Sequence, residues 1–163
     1  MVVVATTPEG ALAVGTPLED LDTAGVMRCI PHRFPMLLVD RVVGMEAYHR
    51  AVGVKQVTIN EPYFQGHFPN DPIVPGVLLI ESMAQTAAVL ILASLGPDYG
   101  GNRVYFMGVE GARFRRPVRP GDELRLEVAV QRGKLGIWKF EGKATVGGET
   151  AAEALFTAKM MGR

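Results

Sequence analysis

The stretch PGVLLIESMAQTAAVLILASLG, residues 75–96, limits what this chain can fold into more than any other feature. Pro75 suits the first turn of a helix, and Gly96 followed by Pro97 stops one, so the pattern predicts a helix over residues 75–95. At the standard rise it is about 31 Å long. Hydrophobic residues surround it on nearly every side, so it belongs inside a fold and not on a surface. Its few polar residues are therefore informative. Glu81 and Gln85, four apart, share one face, with Ser82 and Thr86 on the adjoining strip. A carboxylate in such surroundings is costly unless it is partnered or neutral.

Strand-like segments flank this helix. FPMLLVDRVVGM and HRAVGVKQVTI are β-rich runs separated by a turn near Glu46 and Ala47, and they read as an antiparallel pair. Residues 61–74, EPYFQGHFPNDPIV, carry three prolines and a glycine and read as an ordered loop. Beyond the helix, four β segments are expected at about 103–115, 122–132, 136–147 and 149–161. Pro120-Gly121-Asp122, the stretch from Gly133 to Gly136, and Gly147-Gly148 divide them as turns. In ELRLEVAVQ, Leu124, Leu126, Val128 and Val130 share one face. These turns are too short for parallel crossovers, so the pattern predicts an α+β domain with an antiparallel sheet around one long helix. Ahead of it, residues 17–30 suggest a short helix ended by Pro31. It has two possible starts, a Thr16–Glu19 capping box or an Asp22 cap. Residues 1–16 read as a loosely ordered extension and 17–163 as one domain.

Composition removes several functional classes. Lys plus Arg and Asp plus Glu are both 17, so net charge gives no pointer to nucleic acid or an anionic membrane. The single cysteine, Cys29, cannot form an internal disulfide and fits a reducing compartment, so a cytoplasmic location is expected. The longest apolar stretches flank Glu81 and fall short of the roughly 20 residues a bilayer needs. The N-terminal run lacks a basic start and is broken by Pro8, Glu9 and Gly10, which argues against a secretory signal. Three histidines without clustered Cys or carboxylate partners imply no metal site. Phosphate-loop, dinucleotide and GxSxG patterns are absent.

The chemistry concentrates between Gly66 and Gln85. His67 stands in the proline-rich loop just before the helix, and its imidazole titrates near neutral pH, as a general base requires. Taken alone, such a histidine is more often structural than catalytic. Burial of Glu81 among Leu78, Ile80 and Ala84 would favour the protonated carboxyl, the form a general acid needs; the plain alternative is a structural carboxylate bonded to Gln85. Gln85 could orient Glu81 or serve the core. At Pro75-Gly76 the first helix amides lack intrahelical acceptors, and Gly76 has no side chain to obstruct an approaching carbonyl, though seen alone the pair reads as an ordinary helix start. His32 reads as fixing the corner between helix and strand, and His49 as lying near a turn.

The segment GHFPNDPIVPGVLLIESMAQ resembles the active-site motif of bacterial β-hydroxyacyl-acyl-carrier-protein dehydratases, the hot-dog-fold enzymes of type II fatty-acid synthesis. IPHRFPMLLVDRV, NEPYFQGHFP and YFMGVEGARFRRPVRPGDEL extend the resemblance in order over nearly the whole chain. It implies a hot-dog fold and reversible dehydration of a (3R)-hydroxyacyl-acyl-carrier-protein to the trans-2-enoyl product. His67 would take the C2 proton, Glu81 would protonate the leaving hydroxyl, and Gly76 N–H would hold the thioester carbonyl. The two acid–base residues would come from different subunits of a dimer, commonly within a trimer of dimers. Glutamate at position 81 matches the simple dehydratase branch and not the dehydratase–isomerases. Asn70 departs from the glycine of that motif, though Asn tolerates positive φ.

No cofactor is implied, because elimination leaves the overall redox state unchanged. Phe64, Phe68, Val77, Ile80, Tyr105 and Phe106 are candidates for the acyl tunnel, or plain core residues. Arg113, Arg115, Arg116 and Arg119 either dock the acidic carrier protein and its pantetheine phosphate or form a solvated strand edge. A hot-dog thioesterase, a CoA-specific hydratase and a noncatalytic acyl-binding module are the competing readings.

Overall fold

The computed structural model describes residues 3–4 and 12–161. Its centre is α2, Gly76–Leu95, with Pro75 as N-cap and Gly96 as C-cap at φ 102°. By length and apolar composition alone α2 would pass for a membrane-crossing helix, yet most of it is buried within the protein. It packs against β3 (Arg50–Gln56), β5 (Glu123–Lys134), β6 (Ile137–Val146) and β7 (Glu149–Met161), so its apolar sides are covered by the sheet. Its small polar residues satisfy themselves along the helix. Ser82, Thr86 and Ser94 donate to the carbonyls of Leu78, Ser82 and Leu90.

The sheet order is β2-β3-β5-β6-β7-β4, where β2 is Arg41–Glu46 and β4 is Arg103–Phe114, and all neighbours on this path are antiparallel. The four strands after α2 lie where the turn residues place them. On β5, Leu124, Leu126, Val128 and Val130 are all buried, the face their alternation predicts. Gly53 lets β3 approach α2 closely, since a Cβ there would lie 2.1 Å from Thr86 Oγ1. The hot-dog architecture expected from the sequence is the one observed.

The differences lie before α2. The short helix α1 is Thr23–Cys29; of its two possible starts the chain uses Asp22, whose carboxylate accepts from Gly25 N–H at 2.8 Å. Pro17 and Leu21 instead bridge to Glu46 and Val42, covering the outer edge of β2. FPMLLVD is not a strand. Gln85 takes its backbone groups, accepting from Leu38 N–H and donating to Met36 C=O, so they are unavailable to a ladder. The hairpin turn falls at residues 47–49, with Tyr48 at φ 53° and its N–H donating to Ser94 Oγ. Of the N-terminal extension, residues 1–2 and 5–11 lie outside those described. Val3–Val4 forms β1, the one parallel pairing among the described residues, against Arg132 and Gly133 of β5. Gly15 N–H bonds Ala47 C=O.

Candidate active site

His67 is fixed from three directions. Its N–H donates to Tyr63 C=O at 2.9 Å, its C=O accepts from Ile73 N–H at 3.1 Å, and its Nδ1 lies 2.7 Å from Ile73 C=O. A carbonyl can only accept, so Nδ1 carries the proton and Nε2 keeps its lone pair. That tautomer is the one a base requires. The ring stacks on Phe68 with centroids 4.1 Å apart. Phe68 and Asp71 exchange backbone hydrogen bonds, Arg119 binds Asp71 at 2.5 Å, and Val74 N–H donates to Val118 C=O. The loop is thus stitched to the chain just before β5. Asn70 stays out of the positive-φ region, so the turn does not call on the tolerance expected of it.

The loop is also anchored from behind. Lys55, buried to 9% exposure, pairs with Glu61 at 2.6 Å and lies 3.6 Å from Asp40. Burial first, then the charges of Glu61 and Asp40, push the Tyr63 phenol well above its ordinary value.

An open cleft of about 530 Å³ is lined by His67, Gly76, Val77, Phe114, Arg115 and Arg116, with Ile73, Val74 and Pro117 among its other walls. Among the described residues, no backbone carbonyl accepts from Gly76 N–H. Its side-chain-free Cα matters for a reason the sequence did not disclose. A Cβ on Gly76 would lie 2.8 Å from the Phe114 ring, which covers the helix start.

Glu81 lies elsewhere in the chain. Five residues along a helix turn it about 140° from Gly76. It lines a second, much smaller cleft with His32, Gln85, Val104 and Phe106, and the two clefts share no lining residue. Its Oε1 accepts from Gln85 Nε2 at 2.9 Å and lies 3.5 Å from His32 Nε2. Gln85 therefore bonds both Glu81 and the 36–38 segment. The contact of His32 with Glu81 was not visible in sequence, where 49 residues separate them and no periodic pattern links them.

The remaining candidates fall into groups. Phe64 and Ile80 are core residues. Val77, at 70% exposure, lines the His67 cleft, whereas Phe106 lines the Glu81 cleft and packs edge-on to Phe156. Phe68 and Tyr105 are exposed. Arg115 pairs with Glu153, Arg116 with Glu149 at 2.9 Å, and Arg119 with Asp71, while Arg113 stands opposite Glu153 in the β4–β7 register. His49 sits at its turn and bonds Glu46 at 2.7 Å.

The family model of the FabA-like domain matches residues 30–155, which include His32, His67, Gly76, Glu81 and Gln85. A curated 3-hydroxyacyl-[acyl-carrier-protein] dehydratase FabZ from Acidiphilium cryptum is 57% identical over 86% of this chain and 86% of its own length. One of the same name from Gluconacetobacter diazotrophicus is 53% identical over 90% of this chain and 91% of its own. Among solved structures, the dehydratase heterocomplex ApeI:P from Xenorhabdus doucetiae superposes with a TM-score of 0.73 at 18% identity, covering 85% of this chain and 91% of that one. An uncharacterized Pyrococcus horikoshii protein superposes at 0.60 and 15% identity, covering 90% and 97%, and like the first it speaks for the fold alone. With the fold, the motif order and these identities in agreement, the chain belongs to the FabA-like family, on its 3-hydroxyacyl-acyl-carrier-protein dehydratase branch.

Proposed function

We propose that this chain catalyses the reversible dehydration of (3R)-hydroxyacyl-acyl-carrier-protein to the trans-2-enoyl form in fatty-acid biosynthesis, with His67 as base and Glu81 as acid. The observation that carries the residue assignment is the His67 tautomer. Its Nδ1–H is committed to Ile73 C=O, which leaves a basic Nε2 on a residue lining the same cleft as the start of α2. Nε2 takes the C2 proton, the C2–H electron pair forms the double bond, and the C3–O bond breaks. The departing hydroxyl takes a proton from Glu81 and leaves as water. Charge that builds on the thioester oxygen meets Gly76 N–H at the positive end of α2. Near 55% identity to curated dehydratases weighs for this chemistry over the thioesterase and acyl-binding alternatives.

Because His67 and Glu81 line separate clefts of one chain, the reading requires Glu81 of a second copy beside His67. β4 fits this requirement. Among the described residues it pairs with β7 alone, and it exposes Tyr105, Phe106, Met107 and Val109, an apolar edge of the kind a partner covers. A homodimer is the minimal assembly, with a trimer of dimers as the larger one. Arg115 and Arg116 on the wall of the His67 cleft suit the carrier protein's phosphopantetheine arm, with Arg113 and Arg119 extending the basic rim. The free Cys29 accords with a cytoplasmic setting.

Complementation tests the shared site. His67→Ala and Glu81→Gln are each expected to lose about 10²- to 10⁴-fold in turnover. Dissociated, mixed in equal amounts and reassociated, they should regain about one quarter of wild-type activity, because half the sites of each mixed dimer hold both native residues. No recovery despite proven subunit exchange would place both residues of a site in one chain.

A further inference from the structure

We propose that His32 is a positioning residue for the acid, acting with Gln85 to hold one oxygen of Glu81 so that the other delivers the proton. The inference rests on the reading of Glu81 as the general acid. Two nitrogens from different parts of the chain converge on the same atom: Gln85 Nε2 donates to Glu81 Oε1 at 2.9 Å, and His32 Nε2 lies 3.5 Å from it, within ion-pair range. Among the described residues no group bonds Oε2, which leaves that oxygen to the substrate.

Both donors are set by chemistry. Gln85 is 1% exposed, and its amide orientation is forced, because Leu38 N–H can only donate to Oε1 and Met36 C=O can only accept from Nε2. His32 stands on a segment braced by Arg33, whose guanidinium donates to the carbonyls of Met27, Ile30 and His32. The other ring nitrogen, His32 Nδ1, is buried without a partner. A proton there would leave a buried N–H unsatisfied and turn a lone pair toward Glu81, so the proton sits on Nε2, facing Oε1.

The arrangement has a catalytic consequence. When the C3–O bond breaks, the hydroxyl takes the proton from Oε2 and Glu81 becomes a carboxylate, while the C2 proton passes to His67. Donors on Oε1 strengthen as that charge appears, because hydrogen bonds to an ionised acceptor are the stronger kind. They also hold the carboxyl in one rotation, so Oε2 alone is presented.

The test compares His32→Asn with His32→Gln in the full-length protein, using 3-hydroxybutyryl-acyl-carrier-protein as substrate. The Asn amide reaches only the position of Nδ1, whereas the Gln amide reaches that of Nε2. His32→Asn should lower kcat about 10- to 100-fold with KM within about twofold, and His32→Gln should restore most of it. In a Glu81→Gln background His32→Asn should cost nothing further. Wild-type kcat in His32→Asn, equal impairment of both variants, an additive loss in the Glu81→Gln background, or unfolding of His32→Asn at assay temperature would each overturn the inference. Undiminished turnover in Glu81→Gln alone would instead overturn the reading of Glu81 on which it rests.

Discussion

Single atoms decide the behaviour of the site residues. His67 keeps a lone pair on Nε2 because a carbonyl claims Nδ1, and that carbonyl belongs to Ile73, six residues further on. The tight loop that brings them together was foreshadowed by its prolines, but the tautomer was not. Tyr63, whose carbonyl holds the His67 amide, carries a phenol that burial keeps protonated. Its folded pKa is raised, so its contribution to stability is complete below the unfolded value of about 10 and falls away as pH rises above it. Wild type should therefore lose stability between about pH 10 and 11 more steeply than Tyr63→Phe. Urea denaturation at stepped pH would measure this, and parallel slopes would refute it.

At the level of elements, α2 is held by the sheet through close approaches that particular small residues permit. Thr86 is fully buried and its hydroxyl is committed to Ser82 C=O at 2.9 Å, so it has little freedom to retreat from a new atom on Gly53. Gly53→Ala should cost about 1–3 kcal/mol through overpacking. Adding Thr86→Ala should return part of that loss, and a double-mutant cycle by chemical denaturation would show it as a coupling. Strict additivity would mean that β3 shifts as a whole. The same packing explains which strands the sequence disclosed. β5, β6 and β7 are bounded by tight turns and alternate regularly, whereas FPMLLVD is as apolar as a strand and is drawn out of the sheet by Gln85.

Across the whole molecule the two ends of the sheet differ. The β2 edge is covered by the segment around Pro17 and Leu21, while among the described residues the β4 edge is left open and apolar. Met107 is 57% exposed on that strand, and a charge there should oppose edge-to-edge pairing. Met107→Lys is expected to shift sedimentation toward the monomer and to lower specific activity at dilute enzyme, with recovery as concentration rises. Unchanged sedimentation together with concentration-independent activity would show that β4 is not the joining edge.

What the sequence determined by itself was what local chemistry can enforce. The period of apolar residues, the Pro75 and Gly96 boundaries and the glycine turns after α2 made the helix, its four following strands and their antiparallel sense legible. His67 and Glu81 stood out because a titratable group in a constrained loop and a carboxylate in an apolar helix are each conspicuous alone. Tertiary structure decided the relations between distant residues: His32 against Glu81, Gln85 against the 36–38 segment, Phe114 over Gly76, and the division of the two catalytic candidates between separate clefts. These contacts join parts of the chain far apart in sequence, and no local propensity encodes them; they exist only once the sheet has closed around the helix.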